Sequence, residues 1–271
     1  MQRSTFIILG LAISSMASAQ FASDNASNAP YVLGEEYIQV GTTPGDQTAA
    51  TNGMNGGFGF EKWQRGGYGS PTNAGSTKIT NLGAGAGMGA QQFNMRSAPD
   101  GSEGADARRR LLNDLEVGQS LSFSMLAGGG NAGQQNTNGW FGVEIRSTNL
   151  SNPGRDMFSI NGWNGGNWEL YGASGGVDTG VAVTPGQRLD VQIGVLGGDM
   201  FSVALTPFGG STTALNVGSI SAGVKLRTMQ FYVYNTNGDF MMNNLQAVPE
   251  PATLVAVGAG LLMLARRRRR A

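Results

Sequence analysis

The chain has 271 residues and neither histidine nor cysteine, which excludes disulfides, thiolate or imidazole metal sites and any nucleophile paired with histidine. Glycine supplies 44 residues, more than double the usual ~7% share, while charged residues make up 13% and hydrophobic ones 40%, a balance that fits a turn-rich β protein rather than a disordered one. The formal net charge of +0 hides an acidic body: with Arg3, the five terminal arginines and Glu250 set aside, 12 basic residues face 17 acidic ones, a net of −5 that argues against nucleic acid as a partner.

At the N-terminus, Arg3 precedes an apolar run of eight over residues 6–13, and Ala17-Ser18-Ala19 supplies small residues at the cleavage position. Residues 1–19 therefore read as a secretory signal peptide cut after Ala19. Residues 20–55 are rich in Ala, Ser, Asn, Thr and Gly, with strand-like runs only at 31–33 and 36–40, and are expected to form a loosely structured entry arm.

Residues 56–247 carry the body. Short apolar runs at 58–63, 78–82 and 92–96 alternate with glycine-rich turns; the stretch Gly83-Ala84-Gly85-Ala86-Gly87 lacks the Lys-Ser/Thr of a phosphate loop and reads as a turn. Residues 105–115 have helical composition, with Leu111, Leu112 and Leu115 as a short apolar face. Beyond residue 118 the period is two. Leu189, Val191, Ile193 and Val195 alternate with Arg188, Asp190 and Gln192, and the same pattern recurs at 121–125, 141–146, 201–205 and 229–234. Further strands are expected at 156–160, 168–171 and 240–245. Ten or more short strands, each with one apolar face, predict an all-β fold: an antiparallel β-sandwich or jelly roll. The strands of 105–233 and the loop 161–168 are similar in pattern to the concanavalin-A-like lectin and glucanase sandwiches.

Candidate chemistry in the body is sparse. Glucanases of that kind need paired carboxylates on one strand, in a Glu-x-Asp-x-x-Glu arrangement, and none is present; Glu103 and Asp106 have the wrong spacing, and Asp156, Glu169, Asp190 and Asp199 are isolated. The expectation is thus no enzyme, no cofactor and no metal. Asn235-Thr236-Asn237-Gly238-Asp239 resembles a calcium loop only in its alternating oxygens and reads as an Asn-Gly turn. The run Arg108-Arg109-Arg110 reads as a solvated face screened by Asp106 and Asp114. For glycan contact the candidates are Trp163, Trp168 and Tyr171, with Tyr232 and Tyr234 opposite their strand's apolar set.

The tail, residues 248–271, is the most specific segment. Pro249-Glu250-Pro251 disfavours helix; residues 252–265 then form a 14-residue apolar run, a short transmembrane helix of about 21 Å against a hydrocarbon core of ~30 Å. Arg266, Arg267, Arg268, Arg269 and Arg270 close the chain and fix its topology, because flanking arginines stay on the cytoplasmic side and leave the body outside. These residues resemble the PEP-CTERM sorting signal. The resemblance implies an exosortase-type membrane protease as transient partner, cleavage near Pro249 to Pro251, and transfer of the body to the cell surface or an extracellular matrix, in a family associated with exopolysaccharide producers. The sequence thus predicts an exported surface or matrix protein; a carbohydrate-binding or carbohydrate-hydrolysing module is the alternative.

Overall fold

The computed structural model describes residues 20–35, 37–38, 53–65, 77–82, 86–96, 104–127, 139–147, 157–163, 165–234 and 239–249. The expected signal peptide with Ala17 and Ala19, the span 252–265 and the terminal arginines lie outside these residues. Among the described residues no helix is long and apolar enough to cross a membrane.

The strands follow in chain order: β1 (Ala22–Asp24), β2 (Gln64–Arg65), β3 (Thr77–Thr80), β4 (Gln92–Arg96), β5 (Gly104–Arg110), β6 (Gln119–Ala127), β7 (Trp140–Arg146), β8 (Phe158–Trp163), β9 (Asn167–Gly172), β10 (Gly175–Ala182), β11 (Arg188–Gly197), β12 (Met200–Pro207), β13 (Thr213–Gly218), β14 (Thr228–Tyr234) and β15 (Asp239–Pro249). They form two antiparallel sheets. The eight-stranded sheet has the order β13-β12-β11-β6-β15-β4-β3, with β1 added to β15; the seven-stranded sheet has the order β10-β9-β8-β7-β14-β5-β2.

Alternation places the core between them. Ile193 pairs with Leu121 on one side and Val203 on the other, and Phe231 pairs with Val143 and Ala107, so each sheet offers one continuous apolar face. Aromatic pairs join the two faces: Phe123 meets Phe231 edge-on at 5.3 Å, and Phe158 meets Phe201 at 5.2 Å.

Four expectations are corrected. Residues 104–110 form strand β5, not a helix. Its pairing with β14 overrides the helical composition, and it turns Ala105, Ala107 and Arg109 inward. Arg109 is consequently buried, so the arginine run is not a solvated face. The described parts of the entry arm are not loose either. Its β1 adds to β15, and Tyr31 and Tyr37 are buried against Phe93 and Trp63. What holds the arm is a buried polar cluster: Arg109 Nη2 lies 2.6 Å from Asp24 Oδ2, the Tyr31 hydroxyl donates to the same oxygen at 3.0 Å, and Trp63 Nε1 donates to the Tyr31 hydroxyl at 3.1 Å. Finally, residues 161–168 are not an open loop, because β8 runs to Trp163 and β9 starts at Asn167.

The topology gives the sandwich two distinct ends. Phe21 donates its amide to the Ala247 carbonyl, and Pro249 pairs with Gln119 where β6 begins. Gln20 and Pro249 therefore emerge at one end, beside the β11–β12 turn. Trp140, Trp163 and Tyr234 lie at the opposite end.

Candidate functional site

Strand β14 puts Met229, Phe231 and Val233 in the core, so Thr228, Gln230, Tyr232 and Tyr234 occupy the outward face of the seven-stranded sheet. Register brings their neighbours alongside. Gln230 is flanked by Arg108 and Glu144, Tyr232 by Asp106 and Gly142, and Tyr234 by Trp140; β8 then adds Ser159, Asn161 and Trp163. The outward face of an antiparallel sheet usually meets water. Here Asp106, Arg108, Arg146, Ser159, Asn161, Thr228 and Gln230 are each at most 2% exposed.

Burial of so many polar groups is tolerable because they satisfy one another. The Gln230 carbonyl oxygen accepts from Arg108 Nε at 2.8 Å and from Arg146 Nη1 at 2.5 Å. Its amide donates to Asp106, whose Oδ1 also accepts from the Tyr234 hydroxyl at 3.1 Å. Arg146 Nε lies 4.0 Å from Glu144 Oε2, so two guanidinium groups offset two carboxylates. Tyr232 donates to Asn161 Oδ1 at 2.5 Å. It reaches across Gly142, where a Cβ would stand 2.1 Å from the Ile160 carbonyl oxygen and 3.0 Å from that same hydroxyl. Two buried hydroxyls on this face, Ser159 Oγ and Thr228 Oγ1, have no hydrogen-bond partner among the described residues.

Electrostatics follow the burial. Desolvation pushes the Asp106 carboxyl up to about 6, with Glu144 adding to the rise, while the Tyr234 hydrogen bond and Arg108 pull the other way. Desolvation also lowers Arg108, helped by the like charge of Arg146.

An aromatic rim closes the distal side. Trp140 is 49% exposed and its ring centroid lies 5.6 Å from that of Trp163; Tyr232 and Tyr234 pack at 5.5 Å. Of the three residues predicted for glycan contact, Trp163 and Tyr171 lie on the outward face. Trp168 does not: alternation along β9 sends it into the core, 4% exposed and edge-on to Phe141. The partner of Trp163 is Trp140, which the sequence reading had not singled out. It likewise missed Asp106, Glu144, Arg108, Arg146 and Gln230 as a group, since they come from three strands that only the sheet register unites.

On the other sheet, a groove of about 300 Å³ is lined by Ser122, Ser124, Asp190, Gln192, Thr206 and Asn244. Asp190 is engaged there, accepting from Ser124 Oγ at 2.7 Å and from Arg188 at 2.9 Å. Asp199, at a left-handed turn, accepts from the Gly223 amide. The predicted Asn-Gly turn falls at 235–238, outside the described residues, while Asp239 accepts from Asn94.

Residues 247–270 match the PEP-CTERM protein-sorting motif. The motif marks an exported protein, anchored transiently in the membrane and then processed by an exosortase. Pro249 is the last residue of β15, whereas Glu250 and Pro251 lie outside the described residues. No curated protein matches the chain. Among solved structures the chain is similar to a Lotus tetragonolobus seed lectin (10% identity, 58% of this chain and 86% of that one, TM-score 0.40). It is also similar to a PL-14 alginate lyase from Aplysia kurodai (12%, 64% and 87%, TM-score 0.46) and to a family 16 glycosyl hydrolase from Mycobacterium smegmatis (10%, 68% and 82%, TM-score 0.39).

Proposed function

We propose that this exported protein, sorted through its tail to the cell surface or extracellular matrix, holds extracellular polysaccharide on the outward face of its seven-stranded sheet without cleaving it. One observation carries the reading: a tryptophan pair, Trp140 exposed and Trp163 half-buried, borders a strip of buried, mutually hydrogen-bonded polar side chains on a face that would otherwise need only solvated residues. Flat indole rings stack on sugar faces, and the buried network beneath fixes the strands that carry the aromatic rim. The carboxylates of Asp106 and Glu144 are engaged in the network rather than set across an open space, which supports holding over hydrolysis.

The test is retention on polysaccharide from the producing cells. Trp140→Ala with Trp163→Ala is expected to weaken binding at least about tenfold, roughly 1.4 kcal/mol. No reducing ends should appear on prolonged incubation. Unchanged retention in the double variant would remove this site, and sugar release abolished by Asp106→Asn would make the protein a hydrolase.

A further inference from the structure

We propose that the end of the sandwich from which the sorting tail departs rests on the membrane surface until the tail is cut. The proposal depends on the anchoring that the motif marks and is independent of the glycan reading. Strand β15 stays paired through Pro249, and only Glu250 and Pro251 separate it from the apolar run that starts at Ala252. Two residues reach at most about 7 Å. The polar headgroup layer accounts for roughly 5–7 Å of each side of a bilayer, so an anchored chain holds this end within or against that layer. The 14-residue run is shorter than the hydrocarbon core, and this mismatch draws the body inward rather than letting it stand off.

The surface presented there is suited to such contact. Five large hydrophobic side chains are exposed in the loops at this end: Leu112 and Val117 between β5 and β6, Leu196 and Met200 at the β11–β12 turn, and Ile220 between β13 and β14, with Val117 65% exposed. These loops are bonded into one platform. Gly118 donates to the Val195 carbonyl, Ser219 to the Asp199 carbonyl and Leu115 to the Leu226 carbonyl. The charges beside them are paired, Lys225 Nζ lying 2.6 Å from Glu116 Oε1. At the opposite end the Arg188 guanidinium covers exposed Phe208 at 4.4 Å, and Trp140 stands exposed there in the aromatic rim. A headgroup interface accommodates apolar side chains beside paired charges without needing a shaped cavity.

The chain contains no cysteine, so single cysteines can be introduced for labelling. Val117→Cys, Leu196→Cys and, at the far end, Ser211→Cys would each carry a polarity-sensitive fluorophore in the full chain, reconstituted into phosphatidylcholine vesicles that contain doxyl-lipid quenchers. The expected result is a blue shift and several-fold stronger quenching at 117 and 196 than at 211. Equal quenching at the three sites overturns the proposal. So does shielding from water without lipid quenching, which would put a second copy or another protein on this surface. Flotation reports anchoring separately; a full chain that does not float overturns the premise and the proposal with it.

Discussion

Arg109→Leu is expected to lower the unfolding free energy by about 3–5 kcal/mol, because it leaves the Asp24 carboxylate buried without its counter-ion. The side chains of both partners have zero exposure, and their oxygen and nitrogen stand 2.6 Å apart. Arg109 also donates to Asn55 Oδ1 at 2.6 Å and to the Glu61 carbonyl, and its guanidinium lies 5.1 Å from the Phe60 ring centroid. Loss of Arg109 therefore loosens β1, the arm and the segment before β2 together. The pair is not fully satisfied, however, since Asp24 Oδ1 and Arg109 Nε lack partners among the described residues. Removing both charges should accordingly restore most of the loss, and Asp24→Leu with Arg109→Leu is expected to be clearly more stable than Arg109→Leu alone. Urea unfolding of the four members of this cycle measures the coupling. A single-variant loss below about 1 kcal/mol, the range of exposed pairs, would mean that the arm is not docked as described.

Stability is expected to fall as pH rises from about 4 to 7, the reverse of ordinary acid denaturation. Asp106 titrates near 6 in the folded protein against 3.8 as a free side chain, so between these values the folded state holds a proton that the unfolded state has released. The stabilisation is complete below the unfolded value and is lost as pH climbs through the folded one, on the order of 3 kcal/mol in total. Burial also raises Asp24, against the pull of Arg109, and it acts in the same direction. With no histidine, no imidazole titration is superimposed on this window. Asp178, whose value is lowered by the Gly180 amide, responds only below 3.8. Urea midpoints across the window should decline in the native protein and less steeply in Asp106→Asn, where Asp24 alone still contributes. A midpoint that rises with pH would contradict the buried position of Asp106.

The parts of this fold legible in the sequence are those where alternation is unbroken. Leu189, Val191 and Ile193 announce β11, and Met229, Phe231 and Val233 announce β14, because the inward set is wholly apolar. Strand β5 was hidden by Arg109, an inward charge whose partner lies 85 positions earlier, and local composition then favoured helix. Strands β10 and β13 lie at the sheet edges, where half their side chains meet water and the contrast between faces fades. The candidate site was less legible still. Arg108 and Gln230 are 122 positions apart and Tyr232 and Asn161 are 71 apart, so no local spacing could join them. Period two did assign Tyr232 and Tyr234 to the outward face, and the same rule applied to Trp168 against Leu170 would have sent that tryptophan inward.

Fold and address together give the molecule a direction. Gln20 and the start of the sorting motif share one end, with exposed aliphatic side chains around them, and the tryptophan pair occupies the other. In a chain anchored through its tail, the aromatic rim thus lies at the end far from the membrane.

The most direct test of export and sorting is intact-mass spectrometry of the protein from its native envelope and medium, reading both termini. The expected species begins at Gln20 and ends within Pro249 to Pro251, so that β1 and β15 are both kept whole. A mature species that retains Arg266 to Arg270 would contradict sorting, making the tail a lasting anchor rather than a sorting signal.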